Sequence, residues 1–136
     1  MNSKRFLLLL IAPVIVAVMW VCFNPMGHFG WCCYAVTTYN ALPRLVTDLQ
    51  IRSDGAVRKV PKTHDVRLEM MDWLLETRPE VLIVAIGWDG VAQPEERIRP
   101  TPQTDVRVLK NREAIAEFNR LKREGRRVSI HFHSTC

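Results

Sequence analysis

The chemically capable side chains concentrate in His131-x-His133-x-x-Cys136. On a strand, successive side chains alternate, so His131 and His133 share a face. Imidazole nitrogen and thiolate sulfur are good ligands for zinc or copper. The same types serve as base and nucleophile, with Cys136 attacking and His133 taking its proton. Neither chemistry is complete on spacing alone. The pattern is not that of a structural zinc site, a fourth ligand is not evident, and His28 and His64 remain unplaced. No acid that would orient a histidine can be named. The expectation is therefore no catalytic residue and no metal, with His131, His133 and Cys136 as candidate pocket or interaction residues.

Two further features join them. Ala85-Ile86-Gly87-Trp88-Asp89-Gly90 follows an apolar run that reads as a central strand. In open α/β sheets, ligands sit at the carboxyl ends of strands. No Gly-x-Gly-x-x-Gly and no phosphate-loop lysine is present, so no cofactor is expected. Gly87 and Trp88 are candidates instead for a small pocket with an aromatic lid, or for a surface that meets a partner. The third feature is a basic face carrying Arg112, Arg120, Arg123, Arg126 and Arg127. It suits anionic headgroups or an acidic protein surface.

The elements that must position these residues can be read in order. Leu49–Arg52 and Ala56–Arg58 flank Asp54-Gly55, a hairpin signal. Val66, Met70, Trp73 and Leu74 recur at helical spacing, predicting a helix that begins after Pro61 and ends at Pro79. Val81–Ile86 is apolar throughout, as a strand covered on both faces would be. Val91–Thr104 is polar and proline-rich, a surface connection. Asp105–Leu109 is a further strand. Asn111 is placed to cap a helix over Arg112–Glu124, which Gly125 stops. Arg127–Phe132 is the last strand. The strand–helix–strand unit requires a parallel crossover. The expected fold is a small three-layer α/β domain over residues 45–136, with a mixed sheet, an N-terminal hairpin and helices packed on the sheet.

The chain is 136 residues long, enough for one domain, and carries 19 Lys+Arg against 14 Asp+Glu. This mild basicity does not point to nucleic acid, and none is expected as partner. Phe6–Phe23 holds no charge, and Lys4 and Arg5 precede it. That pattern predicts an uncleaved transmembrane signal anchor over residues 1–23, with the lipid bilayer as partner. The flank charges place the N-terminus in the cytoplasm and the compact domain outside it, as a single-pass membrane protein. Residues 24–44 read as an interfacial linker, with Phe29, Trp31 and Tyr34 at headgroup level. Four cysteines are too few for a disulfide scaffold.

Asn119–Val128 (NRLKREGRRV), followed by His133-Ser134-Thr135-Cys136, resembles the adipogenesis-associated protein domain family. The hairpin at Asp54-Gly55, His64, the helix to Leu75 and the strand ending at Gly87 fit the same layout, so the resemblance covers about residues 49–136. The family includes bacterial and archaeal proteins of unknown role and a mitochondrial respiratory complex I assembly factor. The resemblance implies a three-layer α/β fold and a non-catalytic accessory or assembly role. Ala85-Ile86-Gly87 stands where the family strand usually ends Gly-Thr-Gly, and most members lack the apolar N-terminal run. The function expected is a membrane-anchored interaction module with a membrane or membrane-associated protein partner. The alternative is a small thiol/His-dependent enzyme, or a metal-binding protein using the His-Ser-Thr-Cys segment.

Overall fold

A computed structural model describes residues 3–136, with side chains from residue 7 onward. The chain begins with α1 (Ser3–Phe23) and a small antiparallel meander of β1 (Phe29–Cys33), β2 (Val36–Tyr39) and β3 (Leu42–Leu45). Next come β4 (Asp48–Ile51), β5 (Val57–Val60), β6 (Asp65–Val66), a 3-10 turn over Leu68–Met71 and α2 (Asp72–Leu75). β7 (Val81–Ala85), β8 (Gln93–Pro94), β9 (Asp105–Leu109), α3 (Asn111–Arg123) and β10 (Val128–Phe132) complete it.

The main sheet has the order β5-β4-β10-β7-β9. It is mixed: β10, β7 and β9 run parallel, while β4 pairs antiparallel with both β10 and β5. β7 is buried at every position, and its alternation feeds two cores. Val81, Ile83 and Ala85 face α3 and the meander, packing with Ala114, Phe118, Leu121 and Phe132. Leu82 and Val84 face the opposite layer, with Val66, Met71, Leu74 and Ile98. Three layers result, and β7 and β10 at the centre are covered on both sides.

The anchor is corrected. Among the described residues, no helix is long and apolar enough to cross a membrane. The described apolar side chains of α1 run from Leu7 to Phe23 and include Pro13. The flanking Lys4 and Arg5, and Phe6 at the start of the run, lie outside the described side chains. The transmembrane helix, and the single-pass placement built on it, therefore do not stand.

Three other readings change. Residues 24–44, expected as an interfacial linker, hold most of the folded meander, because Phe29 and Tyr39 pack into the core with Phe118 and Phe132. The helix expected up to Pro79 shrinks to the 3-10 turn and α2. Val66 instead forms a strand bridge with Pro94, and Glu95 Oε2 accepts from the Leu68 amide. Asn111 does not cap α3, whose N-cap is Lys110 in extended conformation. Its side chain is committed elsewhere.

Candidate functional site

Everything that singles out the last residues of the sequence depends on how β10 exits the sheet. Val128, Ile130 and Phe132 point toward α3, so Ser129 and His131 point to the other face. β4 runs antiparallel beside it, with Gln50 opposite His131. One step further along, Asp48 meets His133, with Asp48 Oδ2 2.7 Å from His133 Nδ1 and both side chains buried. Asp48 Oδ1 also accepts from the Ser134 amide at 2.8 Å and the Ser134 hydroxyl at 3.0 Å. A carboxylate that accepts from all sides requires His133 Nδ1 to be the donor. When uncharged, the ring carries its lone pair on Nε2.

That lone pair faces Cys136, whose Sγ lies 3.9 Å from His133 Nε2. His64, from the loop before β6, reaches in from the opposite side. Its Nε2 is 3.1 Å from Cys136 Sγ, and its ring meets that of His133 edge-on with centroids 5.1 Å apart. His64 Nε2, His133 Nε2 and Cys136 Sγ converge, all three donor atoms lying within 4.8 Å of one another. Lys62 Nζ donates to Thr135 Oγ1 at 3.0 Å, beside the thiol. A cleft of about 310 Å3 lined by His64, Asp65, Val91 and Gln93 adjoins.

The segment carrying Cys136 is held from every side. The His133 amide donates to the Ala85 carbonyl, and Asn111 Nδ2 donates to the His133 carbonyl at 2.7 Å. Asn111 Oδ1 accepts from the Gly87 amide, which ties this turn to α3. The Ser134 carbonyl accepts from the Ala35 amide and from Trp88 Nε1, and the Trp88 amide donates to the Thr135 carbonyl. Gly87 sits at φ +99°, and a Cβ there would lie 1.6 Å from the Cys136 carbonyl oxygen. The Gly87-Trp88 turn thus clamps the chain's own residues 134–136 and is not an empty ligand cradle.

Of the residues singled out by sequence, the structure gathers His133, Cys136, Gly87 and Trp88 in one place. His131 lies apart. Its Nδ1 accepts from Gln50 Nε2 at 3.2 Å, and its buried Nε2 has no partner among the described residues. Burial holds its pKa down at about 4, and the nearby His133 and Arg58 push the same way against Asp48. The basic face is partly neutralised. Arg120 pairs with Glu117 and Glu124, and Arg126 with Glu80. Asp48 and His64 were not singled out as site residues. Asp48 opens a strand whose register no sequence pattern states, and His64, which the sequence leaves unplaced, lies in the loop ahead of a helix reduced to the 3-10 turn and α2.

No family model and no curated protein matches the chain. Solved structures do. The chain is similar to one described as MT938, at 28% identity and a TM-score of 0.67, over 80% of this chain and 98% of that one. It is also similar to a conserved hypothetical protein, PH1505, from Pyrococcus horikoshii OT3, at 17% identity and a TM-score of 0.63, over 79% of this chain and 98% of that one. The second likeness is one of fold.

Proposed function

We propose that the chain is a non-catalytic interaction module that binds a partner protein through an apolar surface built by α1 and the β1–β3 meander. The observation that carries this reading is the exposure of Trp31, Tyr34, Leu42, Leu45 and Val46, each more than half accessible. A cavity of about 620 Å3 lies between the two elements, lined by Val16, Met19, Trp20, Phe23 and Trp31. Scattered apolar residues on a surface are ordinary, whereas a contiguous group with aromatic anchors marks an interaction site. The partner surface must itself be apolar, since burial of apolar area is what this face offers. The resemblance to the adipogenesis-associated protein domain family supports the same reading, as an accessory or assembly factor for a larger complex.

The test is co-purification of the tagged full-length chain, paired with the double variant Trp31→Arg and Leu45→Glu. Both positions are exposed, so the fold should hold while the partner is lost. A complex of fixed stoichiometry with one other protein, abolished by the double variant, is the expected result. A chain that purifies alone, a complex containing only its own copies, or one indifferent to both substitutions overturns the proposal.

A further inference from the structure

We propose that His64, His133 and Cys136 form a binding site for a borderline-soft divalent cation, Zn2+ being the one its donor set suits. The site uses none of the side chains of the apolar face and does not depend on the partner-binding reading.

Three observations converge on it. The first is donor geometry. Zinc takes nitrogen at about 2.0–2.1 Å and thiolate sulfur at about 2.3 Å, so donors around a tetrahedral ion sit roughly 3.5 Å apart. Cys136 Sγ is 3.1 Å from one imidazole nitrogen and 3.9 Å from the other. Those two separations bracket the required value, and the two imidazole nitrogens lie within 4.8 Å of each other.

The second is the setting of His133. A metal-bound imidazole commonly donates its far N–H to a carboxylate, which fixes the tautomer and raises ligand basicity. Asp48 does this from a fully enclosed position, and Ser134 holds Asp48 by two bonds of its own. Burying a carboxylate is costly unless its bonds are supplied. Here they serve to aim one nitrogen at a thiol.

The third separates the metal reading from nucleophilic catalysis. A general base acts as one oriented imidazole within hydrogen-bond reach of the group it deprotonates. His133, the oriented histidine, is 3.9 Å from the sulfur, and the closer ring, His64, is exposed. A hydrolytic thiol needs one imidazole, whereas a metal needs several donors on one point, and two rings meet this sulfur. On binding, Cys136 releases its thiol proton to solvent, and both imidazoles bind neutral. Three protein ligands leave one position for water, the arrangement of an exchangeable site rather than a closed structural one.

The full-length chain is titrated with Co2+, which reports thiolate ligation by a charge-transfer band, and Zn2+ is then added to displace it. Expected are one equivalent of Co2+, an intense tetrahedral visible spectrum and a thiolate band removed by Zn2+. Cys136→Ser abolishes the band. His64→Ala, at an exposed position where folding is not at stake, weakens binding and lowers the intensity. Asp48→Asn keeps the stoichiometry but loses affinity by roughly 10–100-fold. A triple variant with Cys22, Cys32 and Cys33 changed to Ser retains the band. No thiolate band in the parent chain, a band that survives Cys136→Ser, or one that disappears in the triple variant overturns the proposal.

Discussion

At the scale of single residues, Gly87 decides whether Cys136 reaches its neighbours. Its φ of +99° is one that L side chains rarely adopt, and its missing Cβ makes room for the Cys136 carbonyl. Gly87→Ala adds strain and a clash with backbone, which cannot swing aside as a flexible side chain would. We expect a loss of about 3 kcal/mol, read as a lower urea midpoint at unchanged slope. Cobalt binding should weaken in the same variant, because residues 135 and 136 must move. An unchanged midpoint would show that the clamp is unimportant. The sequence did single out Gly87, His133 and Cys136, but not what joins them. His131 and His133 look equivalent in the pattern, since both lie on one face of a strand. Only the register against β4 separates them, giving Gln50 to one and Asp48 to the other. Register is set by pairing across the chain, which no local pattern records.

The elements show the same division. β7, β9, α3 and β10 were legible because each carries its own periodicity and its own stop. Asp54-Gly55 fixed the β4–β5 hairpin for the same reason. The helix predicted up to Pro79 had the right spacing, yet most of it is not helical. Val66 is taken by a bridge to β8 and Met70 by the 3-10 turn, leaving only Trp73 and Leu74 in α2, so tertiary pairing overrode local preference at its start. The meander was hidden by its turn chemistry. Asn40 and Ala41 form the two-residue connection of β2 and β3, with φ of 54° and 58°. That is the geometry of a hairpin turn that favours Asn-Gly, and an alanine in the second place masks the signal. The left-handed region costs an L-residue roughly 1–2 kcal/mol, partly offset by the entropy glycine loses on folding. Ala41→Gly should therefore stabilise the protein by about 0.5–1 kcal/mol. A raised denaturation midpoint is the check, and a lowered one would mean that the alanine methyl is packed.

For the whole molecule, the question is whether α1 belongs to the folded body or is added to it. Among the described residues, no side chain of α1 lies in either core cluster. The polar ties between its described residues and the body are few and lie at its end. Trp20 Nε1 donates to the Ala41 carbonyl at 2.9 Å, and buried Asn24, just past the helix, accepts from the Trp31 amide at 2.8 Å. Gly30 lies under Asn24, where a Cβ would overlap its side chain. The joint is thus held by specific contacts while the described helix beyond it contributes little to the core. Removing residues 3–23 while keeping Asn24 forfeits three hydrogen bonds, the one from Trp20 to Ala41 and the two that the Asn24 amide and side chain donate to the Trp20 carbonyl, together worth about 3 kcal/mol. For a domain of this size, that lowers Tm by about 10 °C. The shortened chain should also scatter less light on concentration, because the exposed leucines and valines of α1 leave with the helix. Its cobalt spectrum should match that of the full chain, since all three donors come from elements other than α1. Its partner, by contrast, should be lost or weakened, because half of the 620 Å3 cavity is gone. A shortened chain that unfolds at ordinary temperature would instead make α1 part of the core.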